Sequence, residues 1–258
     1  MTIESQQALP AYDHRDGTAP TLVFLHYWGG SARTWQPVVD LLPGRDTLCI
    51  DFRGWNRSKD LPGPYTLQQL ADDTVAILAN AQAQEFVLVG HSMGGKVAQL
   101  IAATEPVGLR GIVLVGSGPA KPAAEITPEY REGLSHAYDT EATVVGARDH
   151  ILTATSLSEH HKMQVLEDSR ASASDARAEW PLRGIAEDIS DRTQMVGVPA
   201  LVIAGEHDQV EPVAVLRNNL MPYLSNAEMV VFPSVGHLLP LEATAALAEA
   251  IEGFIDAR

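Results

Sequence analysis

The segment Gly90-His91-Ser92-Met93-Gly94 sets a serine between two glycines, and the run Phe86–Val89 leads directly into it. A helical pattern follows from Lys96 to Thr104. A serine in a sharp strand-to-helix turn has a strained backbone that lifts its Oγ above the sheet. Glycines two residues before and after it leave room for the chains that cross there. The helix that follows turns its first amides and the positive end of its dipole toward any oxyanion that develops nearby. Ser92 is therefore the candidate nucleophile, and acyl transfer is the chemistry this spacing serves.

A serine hydroxyl needs a base to become a nucleophile, and the base needs an acid to hold its tautomer. Where the nucleophile stands at such an elbow, the acid and then the histidine are expected after it in the chain. The segment Gly205-Glu206-His207-Asp208-Gln209-Val210-Glu211 closes a strand-like run and offers three acids. Asp208 is taken as the partner because it lies past the turn that follows Gly205. His237 follows Gly236 in the loop before the last helical pattern and is taken as the base. Nine histidines are present, so position must decide among them. His91 adjoins the nucleophile but points elsewhere in such a turn. His160 and His161 are helical neighbours and diverge, so they share no metal-binding face. No metal or cofactor is expected.

These groups need a scaffold that brings distant segments to one edge. Six runs rich in Val, Ile and Leu are expected as strands covered on both faces: Thr21–Leu25, Thr47–Ile50, Phe86–Val89, Gly111–Val115, Ala200–Ala204 and Met229–Phe232. Amphipathic stripes over Thr66–Ala79 and Leu241–Ile255 predict helices between and after them. The alternation implies an α/β fold with a doubly wound, mostly parallel sheet. A short N-terminal hairpin is expected around Leu9–Asp16. From about Gly118 to Thr193 only helical patterns occur, over Pro128–Tyr138, Glu141–Leu152, Glu159–Arg170 and Asp175–Ile189. That interval is too long for a loop. It is read as a helical insertion over 118–193 between two parts of a core, 1–117 and 194–258.

The net charge of −15 disfavours nucleic acid and anionic membranes as partners. The single cysteine, Cys49, excludes an intramolecular disulfide and lies in an apolar run, where it is expected as a small buried hydrophobe. Residues Met1–Gln7 carry neither a basic cluster nor an apolar stretch, and no run approaches the ~18 apolar residues of a membrane span. A cytoplasmic setting and a small-molecule partner are the expectations.

The landmarks together resemble the α/β-hydrolase superfamily, in order along the whole chain: His26, Asp51-Phe52-Arg53-Gly54, the Gly90–Gly94 elbow, the helical insertion, Gly205–Asp208 and Gly236-His237. Within it the chain is similar to small bacterial serine esterases, including the arylesterase/perhydrolase group. That resemblance implies an oxyanion hole made by the backbone N–H groups of Trp28 and Met93, and an insertion that caps the active site. Two departures stand out. The glycine usual after the strand-end histidine is Tyr27 here, which narrows the acyl site or tilts the loop. The segment Gly54-Trp55-Asn56-Arg57-Ser58 replaces a more common G-x-G-x-S pattern. A serine at the elbow argues against the epoxide hydrolase and haloalkane dehalogenase branches, which need a carboxylate nucleophile. Cleavage of a carboxylic ester or lactone is the leading expectation. Perhydrolases, C–C bond hydrolases, cofactor-free dioxygenases and hydrolase-like receptors share the shell. Trp180, Met163 and Leu157 of the insertion are candidates either to line a pocket or to pack within the cap.

Overall fold

The computed structural model describes residues 8–257, so the segment Met1–Gln7 lies outside the described residues. Seven strands make one sheet: β1 (Tyr12–Arg15), β2 (Thr18–Leu25), β3 (Arg45–Ile50), β4 (Phe86–His91), β5 (Leu109–Val115), β6 (Ala200–Gly205) and β7 (Ala227–Phe232). Their order is β1-β3-β2-β4-β5-β6-β7. Every neighbouring pair is parallel except β1 with β3. All six expected strands are present, and the sheet is the doubly wound α/β arrangement that their composition implied.

The expected N-terminal hairpin is not formed among the described residues. The single strand β1 pairs with β3, which lies between it and β2. The two-residue link Asp16-Gly17 carries the chain across the start of β3, where a Cβ on Gly17 would stand 2.3 Å from the carbonyl carbon of Arg45. Only glycine passes that closely, and the link is a crossover past the edge of β3.

Alternate side chains of the central strands enter different cores, because successive residues of a strand point to opposite faces. Leu22, Phe24, Val87 and Val89 pack with Trp35 and Ile251 on one face. Val23, Leu25 and Leu88 pack with Leu70, Val97 and Ile101 on the other. At 20–33 cal/mol per Å² of apolar surface, two such layers supply most of the driving force for folding. They also make the sheet a rigid platform for groups at the C-terminal ends of its strands.

Between β5 and β6 the described chain is helical, with helices Pro128–Ser135, Glu141–Ala147, Glu159–Arg170 and Ser174–Leu182. Three expected helices are shorter than their patterns. Pro128–Tyr138 ends at Ser135. Glu141–Leu152 changes to a π-helical turn at Arg148. Asp175–Ile189 stops at Leu182, just after Pro181, and continues through a 3₁₀ turn at Gly184–Ala186. Proline lacks the N–H that the helix ladder needs. The buried ammonium of Lys96 collects carbonyls of the broken segment, at 3.0 Å from Gly184 and 3.4 Å from Ile185, together with that of Glu187. The final pattern also breaks, at Ala243, into Leu239–Glu242 and Thr244–Asp256.

Candidate active site

Ser92 stands between β4 and the helix Met93–Ala102, at φ 52° and ψ −115°. That left-handed conformation is uncommon for a residue with a Cβ and costs of order 1–3 kcal/mol. It is held by contacts on both sides. The Ser92 amide donates to Val115 on β5, and the Ser92 carbonyl accepts from Gly95 and Gly118. Two residues on, the helix presses against β2, where a Cβ on Gly94 would lie 2.4 Å from the carbonyl oxygen of Leu25. The strand–turn–helix spacing thus gives the strained turn and close crossing read from the sequence.

His237 comes from the loop after β7, and its amide donates to the carbonyl of Leu152 in the insertion at 2.9 Å. Its Nδ1 lies 2.8 Å from Oδ2 of Asp208. A carboxylate only accepts, so Nδ1 carries the proton and Nε2 keeps its lone pair. The other oxygen of Asp208 accepts from the amides of Val210 and Glu211, at 2.8 and 2.9 Å. Asp208 is thereby fixed from its own loop while it faces His237. Of the three acids on this loop, it alone is bonded to the histidine among the described residues. Glu206 lies half exposed and accepts from the Ser234 amide at 2.9 Å. Glu211 is buried, and burial together with the charge of Asp208 pushes its carboxyl well above the usual carboxylate range.

Ser92 and His237 line one cavity of about 130 Å³, with aromatic walls from Tyr27, Trp28, Tyr138 and Trp180. Open α/β sheets place ligands at the carboxyl ends of their strands, which is where this cavity lies. A larger cavity of about 470 Å³ opens at the opposite ends of the strands, between Pro20, Arg110 and Phe254, and holds none of the candidate catalytic residues. Trp28 stacks on Tyr138 with centroids 4.1 Å apart, and its indole donates to the carbonyl of Arg177 at 2.8 Å. Its ring therefore joins the β2 loop to the insertion. Among the described residues, the backbone N–H groups of Trp28 and Met93 meet no acceptor. Tyr27 is buried against His91, and its side chain stands in the same wall where glycine would leave none. Of the three insertion residues singled out, Trp180 lines the cavity, Leu157 packs beside Tyr27, and Met163 is half exposed.

Two groups near the site were not assigned roles from the sequence. Glu242 accepts from the amides of Gly236 and Leu238, on either side of His237, at 3.3 and 3.2 Å. It also accepts from the amides of Ala154 and Thr155 in the insertion, at 2.8 and 2.9 Å. One carboxylate thus ties the histidine loop to the insertion. His91, set aside in the sequence reading, bonds to the backbone of His237, and the two rings lie 5.0 Å apart. No sequence spacing announces either contact.

Cys49 is buried on β3, and loss of solvent pushes its thiol up to about 12, which suppresses thiolate chemistry. The only group of potential metal ligands among the described residues, His14, Asp16 and Asp46, lies around the β1–β2 link and the start of β3, outside the Ser92 cavity. No helix among these residues is long and apolar enough to cross a membrane.

Comparison with known proteins gives a consistent picture. A family profile described as alpha/beta hydrolase fold matches residues 20–244. A pimeloyl-[acyl-carrier protein] methyl ester esterase of Pseudoalteromonas atlantica is 33% identical over 105 residues, which are 40% of this chain and 39% of that protein. The match thus spans well under half the length of that relative. 3-Oxoadipate enol-lactonase 2 of Acinetobacter baylyi is 29% identical over 206 residues, 76% of this chain and 74% of that one. Among solved structures, an esterase from Exiguobacterium antarcticum superposes with a TM-score of 0.86 at 19% identity, covering 95% of this chain and 94% of that chain.

Proposed function

Since the chain belongs to the α/β-hydrolase fold family, we propose that it is a serine hydrolase that cleaves a small-molecule carboxylic ester or lactone. The observation that carries this reading is the convergence of a strained Ser92 with His237 in one cavity, the histidine already bonded to Asp208. The relatives named as a methyl ester esterase and an enol-lactonase support the choice of bond.

In this reading His237 Nε2 takes the Ser92 proton as Oγ attacks the ester carbonyl carbon. The carbonyl oxygen gains a full negative charge, which the N–H groups of Trp28 and Met93 hold. As the tetrahedral centre collapses, the carbon–oxygen bond to the leaving group breaks, and the proton on His237 passes to that oxygen. Water then gives a proton to His237 and attacks the acyl-enzyme. Collapse of the second tetrahedral centre frees the acid and returns the proton to Ser92. Asp208 keeps Nδ1 protonated and stabilises the imidazolium through both steps. Residues 118–193 act as a cap that supplies Tyr138 and Trp180 and excludes water from the bond being cleaved.

A panel of aryl esters, alkyl esters and lactones, assayed anaerobically with EDTA present, tests the proposal. Turnover of at least one class is expected, with loss of several orders of magnitude in Ser92→Ala, by analogy with about 10⁶ for the nucleophile of subtilisin. Strict dependence on oxygen or a divalent ion would overturn it.

A further inference from the structure

The Ser92 cavity adjoins a second cavity of about 280 Å³, and Tyr130, Ile185, Val210 and Glu211 border both. Glu211 is the only acid on that shared boundary, and it is 4% exposed. Among the described residues, its carboxyl makes no hydrogen bond. The two charged side chains that act on it, Lys96 and Asp208, are already engaged. Lys96 has three N–H donors, and they go to the carbonyls of Gly184, Ile185 and Glu187. Both oxygens of Asp208 are occupied, one by His237 and the other by two backbone amides. A largely buried carboxyl that faces a cavity without a partner is stabilised by a ligand that supplies one.

We propose that Glu211 is the polar recognition point for substrate, its carboxyl hydrogen-bonding an uncharged oxygen of the molecule bound across the two cavities. This rests on the ester-hydrolase reading and narrows its substrate class. The preferred ester or lactone has a chain that runs from Ser92 toward the outer cavity and carries a keto, amide or ether oxygen where it passes Glu211. Burial and the neighbouring Asp208 charge both favour the protonated form, and the charge of Lys96 opposes them. The same environment disfavours a carboxylate on that part of the substrate. The rest of the shared boundary consists of Ile185, Val210 and Tyr130, so the remainder of the chain meets mostly apolar surface, with the Tyr130 phenol as the one other polar group there.

The test uses matched ester pairs that differ only by an oxygen-bearing group in place of a methylene. The group is moved along the acyl chain in one series and along the alcohol in another. At one position, wild-type kcat/KM is expected to favour the oxygenated ester by about tenfold or more. Glu211→Leu should abolish that ratio, while Glu211→Gln should retain much of it, because its amide N–H donates in the same place. A wild-type enzyme with no preference at any position overturns the proposal, and this arm requires no variant to fold. A preference that survives in folded Glu211→Leu also overturns it. Wild-type turnover of an aryl acetate separates the two levels: if it persists while the preference is absent, only the role of Glu211 falls. If no ester is cleaved and Ser92 takes up no acyl group, both readings fall.

Discussion

The imidazole of His91 donates from Nε2 to the backbone carbonyl of His237 at 2.8 Å, so the residue before the candidate nucleophile holds the backbone of the candidate base. A carbonyl only accepts, which fixes the proton on Nε2 and leaves Nδ1 as the lone-pair nitrogen. That nitrogen has no partner among the described residues. Burial keeps the ring neutral by pushing its pKa well below the ordinary value, and nearby His237 adds to the effect. One uncharged ring thus couples the elbow to a loop 146 residues away.

His91→Phe keeps a ring against Tyr27 and Trp35 but removes the donor. The expected result is a fall in kcat of about fivefold with KM changed less, since about 1 kcal/mol of hydrogen bond positions the base without touching substrate. His91→Gln, which restores an N–H donor, should recover part of the loss. Steady-state kinetics on an ester substrate check both. An unchanged kcat in His91→Phe would show that the loop is held without this bond.

Asp208→Asn should reduce turnover far more than Glu206→Gln. The amide cannot hold the Nδ1–H tautomer of His237, and the analogous loss in a serine protease is about 10⁴. Glu206 caps the Ser234 amide from a half-exposed position and has no bond to the histidine among the described residues. Parallel kinetics and melting curves separate catalytic loss from unfolding. A mild Asp208→Asn variant beside a crippled Glu206→Gln variant would move the acid to Glu206.

His26 gives a pH signature of the fold. Its Nδ1 donates to the Tyr27 carbonyl at 2.7 Å, and its Nε2 accepts from the Phe52 amide at 3.1 Å, so both ring nitrogens are engaged in the neutral form. Burial lowers its pKa from 6.5 to about 4. The unfolded chain therefore binds the proton first as pH falls. The stabilisation is complete above pH 6.5, is lost progressively toward pH 4, and amounts to about 3 kcal/mol. Glu211 acts in the opposite sense, because its raised pKa makes the fold less stable as pH rises above the ordinary carboxylate range. Urea unfolding of wild type and His26→Gln across this window isolates the histidine. The variant should show the weaker acid loss, and identical slopes would remove His26 as the cause.

The sequence made the elbow readable because strain and close packing there demand particular residue types, Ser92 and Gly94 among them. The runs rich in Val, Ile and Leu were readable for a similar reason, since a strand covered on both faces has to be apolar throughout. The edge strand β7 is not so covered and leaves Val230 exposed. Position alone ranked Asp208 above Glu206 and Glu211, whereas their different surroundings emerge only in three dimensions. Glu242, His91 and Lys96 were not readable as participants. Their partners lie 88, 146 and 88 residues away, and a single carboxylate, imidazole or ammonium leaves no periodic trace. The hairpin expected around Leu9–Asp16 was misread because a short strand looks the same in sequence whether its partner is the next strand or, as here, β3.

The central claim is that Ser92 forms a covalent acyl-type adduct through the His237–Asp208 pair. Intact-mass and peptide-mapping spectrometry after treatment with a fluorophosphonate tests it most directly. The expected result is one adduct per chain, mapped to the peptide containing Ser92, absent in Ser92→Ala and strongly slowed in His237→Ala. An adduct on another residue, or no adduct on folded protein that still cleaves esters, would contradict the account.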